Sequence, residues 1–244
     1  MSGRFPLAVM LLAALASPAY AQSPDFLFGK PHGTVAFRSG WFFARAGSDL
    51  FTFVQDQLTV GKKDFNAPAL GVDVDAPIGS PRLSIMYGFQ YSGSSKASEY
   101  RNFVDNQRLP ITQTTQLREL NLNVGVKVAL TPPGHGISAH AWIPSAVTPY
   151  VGAGGGALWY KFHQTGDFVD FTDLSVFPKT YDSRGWAPSA HVLGGVDVKA
   201  WKRLYVNAEA HYLWAHATLG TAFTGFDPID LTGLKVGAGI RYMF

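Results

Sequence analysis

Residues 119–130 read ELNLNVGVKVAL. Leu120, Leu122, Val124, Val126, Val128 and Leu130 occupy every second position, and Glu119, Asn121, Asn123, Gly125 and Lys127 lie between them. A period of two belongs to a strand, whose successive side chains point to opposite faces. The stretch is therefore a strand with one greasy face and one polar or small face. That greasy face either packs on a protein core or meets lipid.

Working outward, the same alternation recurs about eight times. In TVAFRSGWFF, Val35, Phe37, Trp41 and Phe43 oppose Ala36, Arg38 and Gly40; in ALGVDVDAPI, Leu70, Val72, Val74 and Ile78 oppose Gly71, Asp73 and Asp75. In RLSIMYGFQY, Leu83, Ile85, Tyr87, Phe89 and Tyr91 oppose Arg82, Ser84, Met86, Gly88 and Gln90. TPYVGAGGGALWYKF is too glycine-rich for its faces to be read. SAHVLGGVDVK sets Ala190, Val192, Val196 and Val198 against Ser189, His191, Asp197 and Lys199. RLYVNAEAHYLWA sets Leu204, Val206, Ala208, Ala210, Tyr212 and Trp214 against Asn207, Glu209 and His211. The chain closes on LKVGAGIRYMF, with Leu234, Val236, Ala238, Ile240, Tyr242 and Phe244 on one face.

The opposite end carries Arg4, an apolar run from Phe5 to Ala16, and a small-x-small AYA site. This is the pattern of a secretory signal over residues 1–21, cut between Ala21 and Gln22, and the apolar run is short for a bilayer-spanning helix. No later stretch is long and apolar enough for one. The chain of 244 residues has 20 Lys plus Arg against 17 Asp plus Glu, a balance that argues against nucleic acid as a partner. It has no cysteine, so an exported fold must rest on packing, hydrogen bonds or membrane burial rather than disulfides.

Strands of about ten residues with one apolar face match transmembrane β-strands. Aromatic residues collect near strand ends on the apolar face, as Trp41 and Phe43, Phe89 and Tyr91, Tyr212 and Trp214, and Tyr242 and Phe244, where interfacial girdles belong. Long polar connections are expected after the first, third, fifth and seventh strands, and short ones after the second and sixth. A closed barrel also pairs every backbone group, which hydrocarbon requires.

The signal peptide, the eight alternating segments and the GIRYMF terminus together resemble the small bacterial outer-membrane β-barrels of the OmpA-like and OmpW-like superfamily. The resemblance implies an all-β, eight-stranded antiparallel transmembrane β-barrel over residues 34–244, preceded by a periplasmic segment over residues 22–33. No peptidoglycan-binding domain is expected after it. It implies that Ile240, Tyr242 and Phe244 form the signal read by the barrel-insertion machinery, and that outer-membrane lipid and lipopolysaccharide are the surroundings. The 131–149 connection departs from the family's short periplasmic turns and puts the strand count there in question.

Inward parity collects Arg38, Arg82, Lys127, Lys199, Lys235 and Arg241 against Asp73, Asp75, Glu119, Asp197 and Glu209. Eight strands leave an interior that side chains fill, so these charges are expected to pair as a lumen plug; a gate that exchanges partners is the sharper reading. Glu209 and Arg241 are expected to pair, with residue 209 opposite a position near 239. VGAGGGA fits a dinucleotide fingerprint only if a helix follows, and LWYKF is a poor helix. Ser189 and His191, with Glu209 nearby, have the residue types of a hydrolase triad, but an inward-facing set does not meet lipid. His135 with His140, and His211 with His216, lack metal-ligand spacing. In SDLFTFVQDQLT, Leu50, Phe53, Val54 and Leu58 suit the apolar face of a short helix at the outer rim. The expected function is non-enzymatic, structural or narrow-pore, without cofactor or metal. The alternatives are OmpW-like passage of small apolar solutes and a lipid-modifying hydrolase.

Overall fold

The computed structural model describes residues 26–138 and 140–244. The expected signal peptide and its cut at Ala21 lie outside the described residues. Eight antiparallel strands form a closed ring: β1 (Thr34–Ala44), β2 (Ala67–Ile78), β3 (Ser80–Val104), β4 (Pro110–Ala129), β5 (Val147–Val169), β6 (Val176–Lys199), β7 (Leu204–Ala217) and β8 (Gly233–Met243). Each pairs with its neighbour in sequence, and β8 pairs with β1 from Gly233 opposite Ala44 to Met243 opposite Thr34, so the barrel has no open edge. The strand count of eight stands.

Parity separates the two surfaces. On β4, Leu122, Val124, Val126 and Val128 are exposed while Asn121, Asn123 and Lys127 are buried. On β8, Val236, Ile240 and Tyr242 are exposed while Lys235 and Arg241 are buried. The exterior is greasy and the interior is polar, the reverse of a soluble barrel and the arrangement of one immersed in hydrocarbon. The glycine-rich β5 becomes legible in the ring: Tyr150, Leu158, Tyr160 and Phe162 point inward. A Cβ added at Gly154 would come within 2.6 Å of the Gly125 Cα and 2.8 Å of the His191 ring, so the glycines serve close packing of neighbouring strands. The strand runs unbroken through VGAGGGALWYKF, which removes the helix that a dinucleotide site needs.

Strand lengths divide the ring into a low and a tall wall. β1, β2, β7 and β8 have 11, 12, 14 and 11 residues. β3, β4, β5 and β6 have 25, 20, 23 and 24. About 9–11 residues suffice to cross a bilayer, so the tall wall extends well beyond the end opposite the termini, here called the far end. Residues expected to form long loops after the third and fifth strands are instead in these extensions. The ladder continues because paired strands satisfy backbone groups that a free loop would leave to water, and only residues 105–109 and 170–175 remain as turns.

The near end, where both termini lie, has tight turns and a cover. Gly79 joins β2 to β3 at φ +64°, a left-handed conformation that favours glycine. The long connection after β4 folds as a hairpin, Gly134–Ser138 against Ala141–Pro144, and Leu27–Phe28 adds to it as a third strand. Its Trp142 packs with Leu27, Tyr205 and Met243 beneath the barrel mouth.

At the far end the first loop carries α1 (Asp49–Gln57), which buries Leu50, Phe51 and Val54. The expected apolar face is corrected at one position: Phe51 is fully buried, whereas Phe53 is 41 % exposed. Phe53 sits at ring-centroid distances of 5.5 Å from Phe226 and 6.4 Å from Phe171, at the rim. Both phasings obey helical spacing, and the position of neighbouring loops selects between them.

Candidate functional site: a lumen in three layers

The layer nearest the termini is ionic. Asp75 on β2 binds Lys127 of β4 and Arg241 of β8, and accepts a hydrogen bond of 2.9 Å from the Thr34 hydroxyl. The Arg241 guanidinium also donates from Nε to Asp197 at 3.0 Å and from Nη1 to Thr34 at 2.9 Å. Arg38 binds Asp73, and its Nη2 lies 3.0 Å from Glu209 Oε1. Tyr150 joins the two groups: its hydroxyl donates to Glu209 at 2.9 Å, Asn207 donates to that hydroxyl at 3.2 Å, and its ring lies beneath Lys127 and Arg241 at 4.9 and 5.4 Å. Charges removed from water need such partners, since an isolated one costs several kcal/mol.

Nine of the eleven candidate charges are buried in the lumen: Arg38, Asp73, Asp75, Glu119, Lys127, Asp197, Glu209, Lys235 and Arg241, none above 8 % exposed. Arg82 requires correction. It is exposed just past the β2–β3 turn and lines the near mouth rather than the charged interior, because the barrel opens to solvent at that level. Lys199 is half-buried at the same end. The expected Glu209–Arg241 contact is also corrected. Glu209 stands opposite Gly237 and Arg241 opposite Tyr205, so the register is two residues from the expected one. Parity survives a slip of two, but Arg241 is left about 13 Å along the strand from the position facing Glu209. The pairing of His216–Ala217 with Ile229–Asp230 continues this register toward the far end, so the turn runs over 218–228 and is centred one residue earlier than a loop over 219–229.

The middle layer is polar and less fully paired. His191 and His211 stack at 4.6 Å, and Gln90 bonds His211 Nδ1 at 2.9 Å. Ser92 donates weakly to Glu119 at 3.4 Å, and the Lys235 ammonium lies 5.3 Å from the Phe42 ring centroid. Among the described residues, Lys235 Nζ, Glu119 Oε1 and both His191 nitrogens have no hydrogen-bond partner. The hydrolase constellation does not form: Ser189 donates to Asn121 at 3.0 Å, His191 faces His211, and Glu209 is held by Tyr150 and Arg38. Among the described residues no three His, Asp or Glu side chains gather as a metal site.

The far layer is apolar. Phe51, Leu58 and Phe65 of the first loop meet Leu158, Phe162 and Leu213 of the wall and Phe223 of the last loop. Phe51 contacts Phe65 and Phe162 edge-on, at 4.7 and 6.1 Å. Backbone ties hold this loop across the mouth: Thr59 N donates to Glu99 O at 2.8 Å, Arg101 Nε to Gln55 O at 3.0 Å, and Asp227 N to Asp49 at 2.9 Å. Parity within strands does not reveal this layer, because half of it comes from loops. The signal in the sequence was the aromatic content of SDLFTFVQDQLT.

No protein-family model matches the chain, and no curated protein is similar to it. Among solved structures it is similar to Neisserial surface protein A, at 11 % identity and TM-score 0.48, over 92 % of this chain and 100 % of that one. It is similar to the outer membrane protein OprG from Pseudomonas aeruginosa, at 13 % identity and TM-score 0.45, over 89 % and 99 %. A third is Ail, the attachment invasion locus protein of Yersinia pestis, at 13 % identity and TM-score 0.39, over 86 % and 99 %.

Proposed function

We propose that this chain is a non-enzymatic barrel of the outer membrane of a Gram-negative-type bacterium, closed at rest, with its near end in the periplasm and its far end outside the cell. The observation that carries the reading is the ring itself, apolar outside and filled inside by paired charges below and an aromatic plug above. Such an exterior is stable in hydrocarbon and not in water. Ile240 and Tyr242 face outward on the last strand, and Phe244, just past its end, is also exposed, which leaves all three open to the barrel-insertion machinery. The mature chain should fractionate with outer membranes and shift mobility on gels when boiled, and recovery from the soluble periplasm would overturn the assignment. Replacing both Tyr242 and Phe244 with Asp should strand the protein in the periplasm.

Passage of small apolar solutes is the second reading, favoured by one observation: the aromatic plug hangs on a loop rather than on the wall alone. Planar-bilayer recording separates the two. The wild type should show no steady conductance, and replacing residues 49–57 with a short Gly/Ser linker should leave it closed, because the ionic layer lies beneath. Conductance opened by that replacement alone would favour the solute-path reading.

A further inference from the structure

Across the tall wall, the outward rows of β4, β5 and β6 change character within one step. Leu120, Trp159 and Trp186 stand directly opposite one another. The next outward row toward the far end is Arg118, Lys161 and Arg184, again directly opposite across the same three strands. Beyond it lie Gln116, His163 and Asp182, then Thr114, Thr165 and Thr180. On the near-end side of the tryptophans the outward rows are apolar, Leu122 with Ala157 and Pro188, then Val126 with Ala153 and Val192. The tryptophan row is thus the hydrocarbon boundary, and the three cations sit where lipid headgroups begin.

Adjacent strands lie about 4.8 Å apart, so three cations share a row about 10 Å long. Like charges directly opposite one another repel, and the protein supplies little to offset them. Lys161 Nζ lies 3.6 Å from Asp182 Oδ1, but that oxygen also bonds His163 Nδ1 at 2.6 Å. Arg118 reaches only the neutral amide oxygen of Gln116, at 3.4 Å. Among the described residues no carboxylate pairs with Arg118 or Arg184. The low wall has no equivalent: its far boundary is Trp41, Phe43 and Trp214, and the nearby Arg45 lies 3.7 Å from Asp230.

We infer that the Arg118–Lys161–Arg184 row binds the phosphate groups of the outer-leaflet glycolipid, lipopolysaccharide. Guanidinium forks match phosphate oxygens bidentately, the tryptophans below lie against the acyl chains, and the hydroxyl and amide wall above, from Gln116 to Thr180, faces the sugars. The inference rests on the outer-membrane reading and adds a binding surface to it.

The test compares the full-length wild type with the triple variant Arg118→Gln, Lys161→Gln, Arg184→Gln and a control, Lys202→Gln with Arg203→Gln, which removes charge at the opposite rim. Each is refolded in detergent and titrated with phosphorylated lipid A, dephosphorylated lipid A, phosphatidylglycerol or inorganic phosphate. The readouts are the temperature at which the folded gel band is lost and the lipid retained per barrel by mass spectrometry. Phosphorylated lipid A should raise the transition of wild type and control. The triple variant should lose that shift and retain at least several-fold less lipid A, with its transition in detergent alone unchanged or raised because the repulsion is gone. Equal retention by triple variant and wild type overturns the inference, as does an equal response to dephosphorylated lipid A, phosphatidylglycerol or inorganic phosphate. A chain that yields no heat-modifiable folded band at all overturns the outer-membrane reading, and this inference with it.

Discussion

The two ends of the lumen close the same barrel by opposite chemistry. The near half is filled by wall residues, in a lattice in which Asp75 serves Lys127 and Arg241, and Glu209 serves Arg38 and Tyr150, with the Trp142 hairpin packed at its mouth. The far half is sealed by apolar side chains, half of them delivered by loops. A lattice of charges fails when one member is lost, because the remainder is an orphan in a low dielectric. An aromatic plug fails by undocking, and the wall around it persists. The near half therefore belongs to the barrel's global stability and the far half to a local equilibrium.

The largest effect should come from Asp75→Asn, which strips the shared anion from two cations. It is expected to cost about 3–5 kcal/mol, read as the urea midpoint of the folded barrel in detergent, and adding Lys127→Met should restore part of the loss. A loss below that of ordinary surface changes would mean the near half is not a lattice. Phe51→Ala should cost about 3 kcal/mol of plug docking. It should appear as faster protease nicking within residues 45–66 with the strand core still resistant. Coincident loss of both would erase the distinction between the halves.

A double-mutant cycle then sharpens the wiring. Glu209→Gln with Arg38→Gln, a direct ion pair, should couple by about 0.5–3 kcal/mol, and more strongly than Glu209→Gln with Arg241→Gln, which meet only through Tyr150. The reverse result would restore the register expected from loop length.

That register shows where the sequence is legible and where it is not. A period of two survives any slip of two, so inward and outward faces were readable in every strand but β5, while the Glu209–Arg241 partnership was not. The faces of β5 were hidden because Gly152, Gly154, Gly155 and Gly156 carry no side chain to mark them. The height of the tall wall was hidden for another reason. Beyond Trp159 and Trp186 both faces meet water or loops, and outward residues such as Ser95, Thr114 and Thr165 resemble a loop as closely as a strand. The far plug was half legible: Leu50, Val54 and Leu58 were placed correctly by helical spacing, but the choice between Phe51 and Phe53 depends on loops distant in sequence.

The smallest expected effect lies on the strap that holds the plug's loop to the tall wall. Asp64 accepts the Gly61 N–H at 2.9 Å and pairs with Lys96 of β3 at 3.0 Å, fixing the turn Lys62–Phe65 that delivers Phe65 to the plug. The Gly61 N–H, with help from Lys96, holds the Asp64 carboxyl below its ordinary value of 3.8. A carboxylate whose folded value is depressed contributes stability that is present above its ordinary value and is lost as pH falls through the folded one. Phe51, Phe65 and Val54 themselves do not titrate, so acid should loosen the strap without dissolving the plug. Pepsin nicking of the first loop, normalised to an unfolded substrate at each pH, should rise modestly in the wild type below about pH 3.8. In Asp64→Asn it should already be raised at higher pH and stay flat across the same window. A wild-type profile as flat as the variant's would show that the loop is held by its aromatic contacts alone, and the far half would then need no electrostatic support at all.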